Sequence, residues 1–149
     1  MLTTRKMLPD WCNLRARYRY LPMFGSMAVI FLLSHQPGDS LHLPLFPGAD
    51  KIAHAVAYAT LAATAIVAIS RPQQERQPWL TALFSIAICA MYGLSDEFHQ
   101  SFIAGRSVSA ADFLADCLGA TASVALWYRW QRHRAAVLPT LAISVEQRR

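Results

Sequence analysis

Four long apolar runs dominate the chain and predict its architecture. They cover residues 20–38, 52–70, 77–95 and 113–128. With histidine counted as neutral, Asp116 in the fourth run is the only charged residue among them. Each run approaches the ~20 residues that a helix needs to span a bilayer, and the second and third lack the repeating polar positions of a soluble helix. The pattern therefore predicts an all-α polytopic membrane protein, a bundle of four transmembrane helices.

Proline and glycine set the ends of the first two predicted helices. The first helix is expected to end at Pro37-Gly38. Residues 39–49 are rich in proline and predict a loop. The second helix is then expected to run from about Asp50 to Ser70.

The third helix follows a short connection. Residues 71–78 predict a polar turn, and Pro78 suits the first position of a helix because its missing N–H has no partner there. This helix is expected to continue into Gln100, and the Gly105-Arg106 pair is expected to turn the chain.

The fourth helix has the sequence signature of a capping box. Ser109 is expected to cap its N-terminus, with Asp112 three residues on. The helix is expected to end in the aromatic group around Tyr128, and residues 135–145 to be interfacial or loosely ordered. The predicted division is an arm (1–19), a membrane domain (20–128) and a tail (129–149).

Composition and charge agree with this prediction and add a topology. Hydrophobic residues make up 54% of the chain and charged residues 15%, which is typical of a membrane protein. All but two of the 14 Lys and Arg residues lie in the arm, the 71–78 turn or the tail, and the two exceptions are Lys51 and Arg106. Because positive loops stay in the cytoplasm, both termini are expected inside. This distribution also argues against nucleic acid as the partner of the net charge of +5.

The most polar segment, residues 96–112, lies between the third and fourth helices. Polar groups among membrane helices are costly to keep, so they indicate function. Asp96 and Glu97 lie near the C-terminal end of their helix, where acids oppose the helix dipole. We therefore expect a cation beside them, with Arg106 or Lys51 as the candidates. A structural ion pair is the alternative explanation.

Helical spacing predicts two further polar stripes. Asp50, His54 and Tyr58 are four residues apart and share one face, as do Asp112 and Asp116. Helix capping is an alternative role for Asp50 and Asp112, and membrane anchoring for Lys51. We expect the stripes and the 96–112 segment to meet in one outward-facing pocket. The candidate catalytic residues are His54, Asp96 and Glu97, and the candidate ligand-binding residues are Asp50, Lys51, Tyr58, Gln100, Arg106, Asp112 and Asp116.

These spaced polar residues resemble a known family. The positions are Asp50-Lys51-x-x-His54-x-x-x-Tyr58, then Asp96-Glu97-x-x-Gln100-x-Phe102-x-x-Gly105-Arg106-x-x-Ser109-x-x-Asp112-x-x-x-Asp116-x-x-Gly119, preceded by Ser34-His35-Gln36-Pro37. Together they resemble the VanZ-like family of small polytopic bacterial membrane proteins. The resemblance implies a bacterial cytoplasmic membrane location and a link to teicoplanin resistance. The sequence departs from the family pattern at Ala104, Asp116 and Ser123.

Three functions remain open from the sequence. The first is binding or modifying a cell-envelope ligand, such as a lipid-linked sugar or a peptidoglycan precursor. The second is an enzyme in which Asp96 or Glu97 acts as general base with His54 as proton partner. A metal-assisted version would use His54, Asp96, Glu97 and Asp116, but no tight motif such as His-Glu-x-x-His supports it, so no cofactor is expected. The third is a structural membrane subunit, and the oligomeric state is open.

Overall fold

The structure, a computed structural model, describes residues 18–37 and 46–146, with side chains described as far as residue 137. Most of the predicted arm, most of the 39–49 loop and the last three residues of the tail lie outside this part. Within it, every secondary-structure element is a helix. The helices are α1 (Leu21–Ser34), α2 (Ala49–Ala68), α3 (Arg71–Arg76), α4 (Pro78–Gln100) and α5 (Ala110–Glu146).

The ends of the central helices follow the local signals in the sequence. Pro78 opens α4, and α4 ends at Gln100, as expected. The backbone N–H of Asp112 donates to the Ser109 hydroxyl, 3.2 Å away, which caps α5. Gly105 turns the chain with a φ of 74°, a left-handed conformation that glycine adopts without steric cost.

Three expectations about the helices need correction. Residues 71–76 form a short helix rather than a turn, and its buried Gln74 donates to the carbonyl of Ile69 at the end of α2. The last helix does not end near Tyr128 but continues to Glu146, through the segment expected to be loosely ordered. Finally, α1 has 14 residues, about 21 Å at 1.5 Å per residue, which is shorter than a bilayer core.

The outer surface of the bundle is apolar. The helices long and apolar enough to cross a membrane are α2, α4 and the Ala110–Val137 part of α5, with α1 as a shorter apolar helix. Large side chains such as Phe84, Met91 and Leu126 are more than half exposed. A water-soluble bundle would carry polar residues on this face. The described chain therefore has the apolar outer surface of a membrane protein. Of the four predicted spans, three are candidate membrane-spanning helices and the first is a shorter apolar helix.

Helix α2 is the centre of the bundle and packs against α1, α4 and α5. Its contact with α5 is very close, because a Cβ added at Gly119 would overlap the backbone of Ala55. Ala120 beside it is fully buried. Small residues that let two backbones approach are typical of helix pairs in membranes. The contact between Gly119 and Ala55 therefore sets the distance between the polar side chains of α2 and α5.

We expect Gly119→Ala to destabilise the protein by roughly 1–3 kcal/mol, the usual cost of overpacking, because backbone rather than a flexible side chain blocks the new methyl group. The measurement is equilibrium unfolding in mixed detergent micelles. Gly25→Ala in α1 is the matched control, since a Cβ there meets nothing within 4 Å. Equal stability of the two variants would contradict the close α2–α5 contact.

Candidate functional site

The polar side chains of α2 meet those of α5 inside the bundle. His54 Nδ1 lies 2.9 Å from Asp116 Oδ1, and the Asp116 side chain is almost completely buried. One turn deeper, Tyr58 is 1% exposed. The Tyr58 ring and Asp116 Oδ2 both lie close to Gly93 on α4. A Cβ added at Gly93 would lie within 3.4 Å of each of them. The two predicted stripes therefore do converge, with α4 closing the third side.

Glu97 on α4 reaches across to the beginning of α5. Its Oε2 accepts a hydrogen bond of 2.7 Å from the backbone N–H of Ser109. A helix N-terminus carries free N–H groups and partial positive charge, so it stabilises a carboxylate. The expectation that Glu97 needs Arg106 or Lys51 is therefore wrong: this acid opposes the dipole of its own helix but caps the next helix.

Asp96 lies in a second buried network that connects α4 with α1. Its Oδ2 accepts hydrogen bonds from the Ser34 hydroxyl at 2.8 Å and from Gln100 Nε2 at 3.1 Å. Gln100 also donates to the Ser34 oxygen at 3.3 Å. Burying a carboxylate costs little only when hydrogen bonds replace its water, and here neutral groups provide them.

The expected ion pair between Arg106 and Asp96 or Glu97 is not found. The Nε and Nη2 atoms of Arg106 donate to the backbone carbonyls of Gln36 and Leu33, at 3.3 and 3.2 Å. The last carbonyls of a helix have no partner within the helix, so an arginine satisfies them well. Among the described residues, Lys51 forms ion pairs with Asp50 and Asp112, and His54 forms one with Asp116 only when its imidazole is protonated.

Lys51 and its two acids form the more exposed side of the site. Lys51 Nζ lies 2.7 Å from Asp50 Oδ2 and 2.9 Å from Asp112 Oδ1. Asp50 and Lys51 are almost half exposed, whereas Asp112 is mostly covered. The Asp112 side chain thus bridges to α2, and the reciprocal half of the capping box at Ser109 is taken over by Glu97. His99 lies apart from this cluster, with its ring 3.2 Å from that of His35.

A cavity of about 140 Å³ lies between α1 and α2 beside these groups. Its polar lining residues are Ser34, Asp50, His54, Tyr58, Asp96 and Arg106. Its apolar lining residues are Ile30, Leu33, Ala53 and Ala57. Pockets that enclose a drug-sized ligand measure ~300–1,000 Å³, so this cavity has room only for a small ligand or for part of a larger one.

Three of the predicted residues also form a group able to hold a metal ion. His54, Glu97 and Asp116 each offer one ligand atom, and these atoms lie within 4.8 Å of one another. Asp96, which the sequence had added to this set, is instead engaged by Ser34 and Gln100.

Sequence reasoning overlooked two contributors. Ser34 is not among the residues that the sequence predicts for the site, because a single hydroxyl at the end of an apolar helix does not by itself indicate a buried acid as its partner. The backbone N–H of Ser109 was assigned to the cap of its own helix. A signal for Ser34 does exist, since it is the last hydroxyl before the predicted end of α1 and belongs to the same family pattern as the acids.

The fold and the site define a class: a small all-helical protein of membrane type, with carboxylates, a histidine and amides buried between its apolar helices. The chain belongs to the VanZ/LLP1 family, whose model matches residues 13–131. No curated protein and no solved structure matches the chain. The match includes all residues of the candidate site.

We expect Ser34→Ala to destabilise the protein by about 1–3 kcal/mol, because buried Asp96 would lose its shortest hydrogen bond. Ser101→Ala is the matched control: its hydroxyl is exposed and donates to the Phe98 carbonyl, so a change within about 0.5 kcal/mol is expected. Both are measured by unfolding in the same micelles. An unchanged free energy of unfolding in Ser34→Ala would show that buried Asp96 does not depend on its hydrogen bond to α1.

Proposed function

We propose that the site binds the anionic head group of a lipid-linked cell-envelope ligand, such as a polyprenyl-linked sugar or a peptidoglycan precursor. The observation that carries this proposal is the cavity between α1 and α2, which is lined both by apolar side chains and by polar and charged ones. A lipid-linked molecule also combines an apolar part with a polar one. The apolar outer faces of both helices allow its chain to remain in the bilayer.

Arg106 is the residue best suited to hold the anionic group. A guanidinium has five N–H donors, and the two hydrogen bonds to the end of α1 leave others for phosphate or carboxylate. These hydrogen bonds also fix its position in the lining of the cavity. Asp96 and Asp50 line the same cavity and are placed to accept from hydroxyl or amine groups. A contribution to glycopeptide resistance would follow if the ligand belongs to cell-wall synthesis.

The test is mass spectrometry of lipids that remain with the protein after purification in mild detergent. We expect an anionic lipid-linked species, reduced about tenfold in Arg106→Gln, because a hydrogen bond to a charged group contributes ~1.5–3 kcal/mol. Arg71→Gln at the start of α3 is the matched control and should retain the species. Only bulk phospholipid on the wild-type protein, in the proportions of the membrane, would contradict the proposal.

A second candidate function is a membrane enzyme that uses acid–base chemistry on such a ligand. The pairing of His54 with buried Asp116 favours it, because a carboxylate that orients an imidazole is a recurring arrangement in catalysis. Release of the head group from added lipid-linked substrate, with saturation kinetics and loss in His54→Gln, would separate this function from binding alone. Activity unaffected by Glu97→Gln would instead favour the structural role.

The proposed ligand also requires an orientation, and we propose that both termini lie in the cytoplasm, with the site on the extracytoplasmic side. The support is the distribution of Lys and Arg along the chain. We expect alkaline phosphatase fused after residue 149 to be inactive and the same enzyme inserted near residue 105 to be active. The reverse result would place the site on the cytoplasmic side.

A further inference from the structure

In the group able to hold a metal ion, each of the two carboxylates has one oxygen with a hydrogen-bond partner in the protein and one without. Glu97 Oε2 accepts from Ser109 N–H, and Asp116 Oδ1 lies against His54 Nδ1. The other oxygens, Glu97 Oε1 and Asp116 Oδ2, are buried and have no hydrogen-bond partner. Each carboxylate is thus fixed by one oxygen and has the other free.

The Tyr58 hydroxyl gives an independent sign of a missing group. It is also buried without a partner, on a side chain 1% exposed and next to Asp116. Buried polar atoms without partners are rare in folded proteins, and their presence on Asp116 and on two side chains close to it calls for an unseen water or ion. Water alone would leave two buried carboxylates without a permanent positive charge, because Lys51 pairs with Asp50 and Asp112.

We infer that His54, Glu97 and Asp116 bind one divalent metal ion between α2, α4 and α5. Metal–oxygen and metal–nitrogen bonds of about 2.1 Å put two ligand atoms at most ~4.2 Å apart, so the observed limit of 4.8 Å requires only small side-chain shifts. One imidazole and two carboxylates suit Mn²⁺ or Zn²⁺ better than Mg²⁺ or Ca²⁺, which prefer oxygen ligands alone. The hydrogen bond from Ser109 orients Glu97, as outer partners of metal ligands commonly do.

This inference does not rest on the proposed lipid ligand, because the metal itself is the probe. The full chain, purified in detergent with a tag that lacks histidine and treated with a chelator, is titrated with MnCl₂ or ZnCl₂. We expect one ion per chain, and an affinity at least about tenfold lower in Glu97→Gln and in Asp116→Asn, since even outer partners of metal ligands have effects of ~10–100-fold. Glu75→Gln in α3, an acid outside the site, is the matched control and should keep the wild-type affinity within about twofold.

A measurement on the wild-type protein decides the case even if a variant fails to insert. Pulsed electron paramagnetic resonance of the Mn²⁺-loaded chain should detect the nitrogen of a single coordinated imidazole. Two imidazoles would place the ion elsewhere, for instance at the His35–His99 pair, and would overturn the inference. So would less than about 0.1 ion per chain with both metals, or full affinity in a correctly inserted Glu97→Gln protein.

Discussion

The structure depends on how buried carboxylates are stabilised inside an apolar bundle. Asp96, Glu97 and Asp116 are each no more than 4% exposed. A carboxylate in such surroundings costs several kcal/mol unless hydrogen bonds or charges replace its water. Asp96 joins α4 to α1, Glu97 joins α4 to the residue before α5, and Asp116 joins α5 to α2.

This dependence explains why the polar residues cluster at one end of the helices. Asp96 connects α4 to the end of α1 through Ser34, and Glu97 connects α4 to the beginning of α5 through Ser109. Both connections use helix termini, or residues next to them, where backbone and hydroxyl groups are available. Arg106 adds a third by satisfying the last carbonyls of α1. The 101–109 connection therefore belongs to the site as well as to the chain path.

Close backbone packing makes these connections possible. Gly119 against Ala55, the residue after His54, brings α5 within reach of α2 beside the His54–Asp116 pair. Gly93 leaves room for Asp116 and Tyr58 beside α4. With larger residues at these positions the helices would separate and the polar atoms would lose their contacts, so small and charged residues act together in this fold.

The sequence by itself determined where α2, α4 and the beginning of α5 lie and which polar residues they carry, because both are local properties. Apolar runs, Pro78 and the Ser109 cap locate α4 and the start of α5, and spacing of four places His54 with Tyr58. The tertiary structure alone decided the partners: Arg106 binds α1 carbonyls, Glu97 caps α5, and Ser34 joins Asp96. The charges along the sequence favoured a pair between Arg106 and an acid. A hydrogen bond, however, requires the rotation and offset of two helices to be correct to within about an ångström, and the pattern of residues does not encode that geometry. The same geometry decided which carboxylate oxygens remain without partners.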